Sequence, residues 1–285
     1  MAELLKGKPV ADAILARCAN QAEKLKEEHI IPVLAILRVG ENEADISYEK
    51  GAGKRCAQAG VEVRNVILPA DVSQEEFDET LQKLNEDDSV HGILMFRPLP
   101  RHLNSEKARN MIAPEKDVDG CTDGSLAGVF TNTRTGFAPC TAQAAVEILD
   151  YYGIEIKGKN VTVIGRSLVV GKPLALLLMN RNATVTVCHT RTKDVPAACQ
   201  NADIVVAATG KMETVGAEYF HEGQTVIDVG ISWNEEKGKL CGDVIFDEAE
   251  PIVRAITPVP GGVGSVTTSV LVSHVVEAAM RKAGF

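Results

Sequence analysis

The segment Val161–Pro173, VTVIGRSLVVGKP, constrains this chain more than any other. A β-branched run, Val161 to Ile164, meets Gly165; Arg166 and Ser167 come next, then Gly171 and a helix-compatible run from Leu174 to Leu178. Strand, glycine turn and helix in that order begin a mononucleotide-binding βαβ unit, where helix N-terminal amides face a phosphate. The spacing Gly165-x-Ser167-x-x-x-Gly171 is not G-x-G-x-x-G, so the glycines alone do not specify a dinucleotide site. A second strand candidate, Thr184–Val187, leads into Cys188, His189, Thr190, Arg191, Thr192 and Lys193. A NAD site usually carries an acid at the end of this strand for the ribose 2′-hydroxyl. No acid occurs here before Asp194. Hydroxyls and a guanidinium suit a 2′-phosphate, because arginine meets phosphate oxygens bidentately. With Arg166 near the turn, the pattern reads as NADP over NAD. The plainer alternatives are a generic nucleotide or coenzyme pocket and, for Arg191 and Lys193, a solvated basic loop.

A chain of 285 residues, 45% hydrophobic and 24% charged, has material for two globular domains or one large one. Its net charge of −9 argues against a broad nucleic-acid interface, which needs a basic face, but leaves room for a small anionic ligand. Seven cysteines stand at positions 18, 56, 121, 140, 188, 199 and 241. The odd count and the lack of any CxxC pair point away from a disulfide framework and from a zinc site, so no metal is expected. Reduced thiols of a cytoplasmic protein fit best. The first residues, MAELLKGKPVADAILARC, lack the apolar run of a signal peptide, and nothing approaches the ~20 apolar residues of a membrane span.

Helix and strand alternate along the chain. Helices are expected over 9–28, 45–59 (closed by Gly60), 73–85 (with Ser73 and Glu76 as a capping box), 105–110, 140–152 and 267–282. Strands are expected over 32–39, 61–68 and 92–95, then over 161–164, 184–187, 204–208 and 225–229. The stretch 112–138, rich in Gly, Asp and Thr, reads as irregular, and Pro258–Gly264 as a rigid loop. This alternation implies an α/β fold with parallel sheets and ligands at the carboxyl ends of the strands. The six histidines fall at surface or helix positions, without an obvious catalytic pair.

Seven blocks in order resemble the methylenetetrahydrofolate dehydrogenase/cyclohydrolase family. They are Pro114–Gly120 (PEKDVDG), Pro139-Cys140-Thr141, the GRSLVVGKP turn, Asn182–Thr186 (NATVT), Ala202–Val206 (ADIVV), Ile227–Ile231 (IDVGI) and Thr257–Gly264 (TPVPGGVG). The resemblance implies a folate-binding catalytic domain over 1–138, a Rossmann-like NADP domain over 139–267, and a C-terminal helix, 268–285, returning to the first domain. It also implies a cleft between the domains and a homodimer formed through the NADP domains. Carried over by residue, Asp119 holds the pterin's amino and ring NH groups, and Tyr48 stacks on the folate ring system. Pro260, Gly261 and Gly262 line the cleft, and Gly165, Arg166, Ser167, Thr190 and Ile231 touch NADP, joined by Gly171 and Arg191 from the turn and the second strand. A carboxylate can accept two parallel NH donors, as it does from arginine. Taken alone, Asp119 would read as a turn carboxylate before Gly120, and Tyr48 as core packing.

Two positions depart from the family pattern together. The family has a cyclohydrolase lysine four residues after the tyrosine; here that position is Ala52. Only i+3 and i+4 share a helical face with i, so Lys50 points almost oppositely and Lys54 lies about a third of a turn off. The family glutamine after Gly-Ile-Leu-Val is here Phe96, after Gly92-Ile93-Leu94-Met95 and before Arg97. Removing hydride from an N–CH2–N carbon moves no proton and needs proximity, alignment and shielding from water. Hydrolysing the resulting cation needs acid–base help, typically worth about 10²–10⁴-fold. The expectation is therefore a dehydrogenase with weak or absent cyclohydrolase activity. The alternatives are a bifunctional enzyme in which Lys54 or Lys50 reaches the site through a helix distorted at Gly51 and Gly53, and a non-catalytic NADP- or folate-binding protein.

Overall fold

The computed structural model describes all 285 residues. Strand β1 (Glu3–Leu4) leads to α1 (Gly7–Glu27), β2 (Val33–Val39), α2 (Glu43–Gln58), β3 (Glu62–Leu68), α3 (Gln74–Glu86) and β4 (Gly92–Met95). Helices α4 (Ser105–Met111), α5 (Asp123–Thr131) and α6 (Cys140–Tyr151) come next. Then come β5 (Asn160–Ile164), α7 (Gly171–Asn180), β6 (Thr184–Cys188), α8 (Val195–Gln200), β7 (Ile204–Ala207), β8 (Thr225–Asp228), β9 (Ser232–Asn234), β10 (Lys239–Cys241), α9 (Phe246–Ala249), β11 (Ala255–Ile256) and α10 (Thr267–Ala283). No helix is long and apolar enough to cross a membrane.

Two compact units result. One comprises Asp12–Cys140 with Thr268–Phe285; the other comprises Met1–Ala11 with Thr141–Thr267. The first eleven residues thus depart from the expected division. Their backbone explains why: β1 pairs in parallel with β11, Glu3 opposite Ala255 and Leu4 opposite Ile256.

The first unit is built on a parallel three-stranded sheet in the order β3-β2-β4. Nearly every residue of the central β2 is buried, as befits a strand covered on both faces. Phe77, Leu81 and Leu84, one stripe of α3, pack on Ala35, Leu37, Ile93 and Met95. Ser73 caps α3 by accepting the Glu76 amide at 3.1 Å. Helix α2 begins two residues before its expected start because the Asn42 side chain accepts the Ala44 and Asp45 amides. The C-terminal helix α10 returns to this unit, where Lys282 reaches the Asp88 carbonyl at 2.6 Å and Arg281 the Gly136 carbonyl at 2.9 Å.

The second unit carries a six-stranded, all-parallel sheet in the order β1-β11-β8-β7-β5-β6. The loops after β5, β6, β7 and β8 therefore share one carboxyl edge. The Gly165, Ala208 and Val229 amides extend the ladders there, to the carbonyls of Cys188, Ile164 and Ala207, each at 2.9 Å.

The elements that escape the sequence pattern are β1, β11, the antiparallel β9–β10 hairpin, α5 within the stretch read as irregular, and the short helices α8 and α9. Two histidines read as surface or helix residues are in fact buried. His91 Nδ1 accepts the Val33 amide at 3.2 Å, and His274 stacks on Phe137 with ring centroids 4.9 Å apart.

Candidate active site

In the first unit, Tyr48, Phe96, Arg97 and Asp119 come together although they are far apart in sequence. Buried Arg38 on β2 pairs with Glu49 of α2 at 3.2 Å and also reaches the Gly40 carbonyl. That contact ties α2 to β2 one residue after Tyr48. The Tyr48 ring meets Phe96 edge-on, with centroids 5.7 Å apart and planes at 87°. Its hydroxyl lies 3.5 Å from Thr268 Oγ1 at the start of α10. Desolvation is the main cause that pushes the phenol up to about 12, so it stays neutral throughout the physiological range.

Ala52, one turn after Tyr48, is buried, while Lys50 and Lys54 are exposed. Helix α2 runs unbroken through Gly51 and Gly53, which removes the distortion that either lysine would need. The cation that does face Tyr48 is Arg55, whose charge acts to lower the phenol's pKa and whose Nη1 donates to Ser269 Oγ at 3.1 Å. Sequence reasoning passed over Arg55. The signal was its spacing: seven residues place it on the same helical face two turns on.

Asp119 sits in a loop held from beneath. Buried Asp117 accepts the Cys121 amide at 3.0 Å and the Thr122 amide at 2.7 Å. The Lys116 ammonium donates to the carbonyls of Leu84, Asn85 and Asp87. Val118, fully buried, offers its carbonyl to His274 Nδ1 at 2.8 Å and to the Cys140 thiol at 3.2 Å. Burial lowers the His274 pKa and raises that of Cys140, so both groups are neutral at pH 7. Arg97 Nη2 donates to Asp119 Oδ2 at 3.2 Å, and both side chains are about one-third exposed, at 33% and 32%. Desolvation by the surrounding protein raises Asp119 to about 6, against the opposing pull of Arg97.

In the second unit, the turn after β5 forms a tight cradle. Gly165 has φ +134°, and a Cβ there would come within 2.1 Å of the Ala208 carbonyl oxygen; a Cβ at Gly171 would come equally close to that of Gly165. Ser167 Oγ accepts the Val170 amide at 3.1 Å and shapes the approach to α7. Arg166 and Ser167 are exposed, as are Thr190 and Arg191 beyond β6. Asp194, the first acid after β6, is engaged elsewhere: it caps α8 by accepting the Ala197 amide at 2.9 Å. A backbone cradle flanked by exposed guanidiniums and hydroxyls, with no free carboxylate at the strand end, fits a dinucleotide carrying a 2′-phosphate.

Ile231, Pro260, Gly261 and Gly262 line one cavity of about 170 Å³, together with Asp228 and Gly230. Asp228 holds that wall by accepting the amides of Gly230 at 2.9 Å and of Asp243 and Val244 at 3.0 Å.

The chain is similar to known proteins in sequence and in fold. Residues 139–283 match the model of the tetrahydrofolate dehydrogenase/cyclohydrolase NAD(P)-binding domain, and residues 5–119 that of the catalytic domain of the same family. The bifunctional protein FolD of Carboxydothermus hydrogenoformans is 52% identical over 279 residues, covering 98% of this chain and 97% of its own. The crystal structure of the bifunctional FolD of Campylobacter jejuni, a methylenetetrahydrofolate dehydrogenase/cyclohydrolase, superposes with a TM-score of 0.94 at 36% identity, over 99% of this chain and 100% of that one. The Trypanosoma brucei methylenetetrahydrofolate dehydrogenase-cyclohydrolase, solved with NADP and an inhibitor, gives 0.90 at 35% identity over 99% and 98%.

Proposed function

Because the chain belongs to the tetrahydrofolate dehydrogenase/cyclohydrolase family, we propose that it is an NADP-dependent 5,10-methylenetetrahydrofolate dehydrogenase with weak or absent methenyltetrahydrofolate cyclohydrolase activity. The observation that carries this reading is the wall around Tyr48. Buried Ala52 and the Phe96 ring stand where the family pattern has an amine and an amide. The cations that act on Tyr48 and Asp119 are the guanidiniums of Arg55 and Arg97, groups that offer hydrogen-bond donors and no acceptor.

Asp119 accepts the pterin's paired NH donors, and Tyr48 offers its ring face to the folate. Phe96 keeps an apolar edge against that ring and excludes water from the one-carbon bridge. The family resemblance assigns Pro260, Gly261 and Gly262 to substrate binding as well. Gly165 and Gly171 admit a pyrophosphate close to backbone amides, Arg166, Ser167, Thr190 and Arg191 hold the 2′-phosphate end, and Ile231 packs against the ring. NADP, when bound, supplies the hydride acceptor. What the protein adds is alignment and dryness; no side chain needs to move a proton as the bridge is oxidised.

A paired assay on one preparation tests the reading. NADPH formation from methylenetetrahydrofolate should proceed, while hydrolysis of the methenyl product should stay near the uncatalysed rate. The double change Ala52→Lys with Phe96→Gln should raise hydrolysis by about 10²-fold or more. Wild-type hydrolysis as fast as hydride transfer would establish instead the fully bifunctional reading, which the names of the relatives favour. The resemblance also suggests a homodimer, which sedimentation at micromolar concentration checks, and the scattered free thiols suggest a cytoplasmic protein.

A further inference from the structure

The Arg97–Asp119 ion pair joins the loop after β4 to the loop before α5, 22 positions apart. Asp119 is faced by Arg97 from that first loop, by Cys140 from α6, by Tyr48 from α2, and by Asp117 and Cys121 from its own loop. His274 of α10 sits behind it on the Val118 carbonyl. Arg97 is the one cation in that set: the histidine, the thiols and the phenol are neutral, and Asp117 is a second carboxylate.

We propose that Arg97 is a positioning residue for the reaction, holding the Asp119 carboxylate as an anion in one orientation so that it can accept two NH donors from the pterin edge. The inference rests on the dehydrogenase reading, which assigns Asp119 its ligand. The Arg97 contact engages Oδ2 alone and the Cys140 thiol is a second hydrogen-bonding neighbour; a carboxylate offers about four acceptor directions, so two remain for substrate. Without the guanidinium, burial and Asp117 both favour the protonated acid. A protonated Asp119 would present an O–H where the ligand presents N–H, and one of the two contacts would be lost.

The test compares Arg97→Leu, Arg97→Gln and Arg97→Lys with the wild type. In the Leu and Gln variants the acid limb of kcat/KM should move up by about one pH unit, because an adjacent opposite charge commonly lowers a carboxyl by 1–3. KM for methylenetetrahydrofolate at pH 6 should rise about tenfold, with kcat within about threefold. Lysine should restore most of the acid limb, though not the full affinity, because it lacks the planar fork. A second readout needs no turnover: 13C-carboxyl aspartate labelling, assigned with Asp119→Asn, tracks the Asp119 titration by NMR. A wild-type acid limb and titration in the Leu and Gln variants would overturn the inference and leave the dehydrogenase intact. A wild type that forms no NADPH would overturn the functional reading, while the carboxyl titration would still decide whether Arg97 holds the anion.

Discussion

In the proposed role Asp119 would meet two opposed demands, being charged to accept two NH groups while standing where protein displaces water. Its replacement by asparagine sets an NH2 against a ligand donor. Asp119→Asn should therefore raise KM for the folate about 10–100-fold, the equivalent of about 1.5–3 kcal/mol for charge-assisted hydrogen bonds. Thermal unfolding at pH 8 should hold or improve, because the amide needs less hydration than the partly desolvated anion. A variant with unchanged KM would remove Asp119 from the binding site. Asp119 and Tyr48 drew attention in the sequence only through the family motifs that hold them. Arg55 was legible in principle as the i+7 residue on the Tyr48 face. The pairing of Arg97 with Asp119 was not, because no local rule joins residues that meet only once a sheet and two loops have formed.

At the scale of elements, the turn between β5 and α7 is the least forgiving. A methyl at Gly165 would collide with the Ala208 carbonyl oxygen at 2.1 Å and oppose a positive φ. Gly165→Ala should cost about 1–3 kcal/mol of stability and weaken NADP binding at least tenfold. Urea unfolding and a fluorescence titration with NADP measure the two effects, and unchanged affinity would place the dinucleotide elsewhere. Strands β2 to β8 were readable as β-branched or apolar runs, all but β6 followed within a few residues by glycine or proline. The missed pieces share a cause. Strands β1 and β11 have two residues each and exist only because they pair with one another and with β8. Helix α5 lies in a run of Gly, Asp and Thr with poor helix propensity, held by the Thr122 cap at 3.0 Å and ended by Asn132 at φ +54°.

At the scale of the whole molecule, two carboxyls set a pH dependence. Burial raises Asp119 to about 6 and Asp228 to about 7, from 3.8, the second against three amide donors. A carboxyl whose pKa is higher folded than unfolded favours the fold while protonated. That contribution is lost as pH rises through the folded value. Unfolding free energy should accordingly decline between about pH 4 and pH 7, most steeply near 4.5 to 6, where both carboxyls hold a proton only in the folded chain, and level off above 7; Asp119→Asn should flatten the lower part of the fall. Urea titrations at four pH values check this, and stability that rose across the same range would contradict it. The two-part α/β architecture was legible from the order of motifs. The placement of residues 1–11 was not, because Glu3-Leu4 carries no strand signal of its own.

The seam formed by those first residues has a practical side. Leu5 is wholly buried, and the Leu5 amide bonds to the Ile256 carbonyl at 2.9 Å. Trimming the chain from its amino end would strip β11 of its neighbour and leave a bare sheet edge open to stray strands. Aggregation of such a shortened protein would therefore report an unzipped border, and purification handles belong at the opposite terminus.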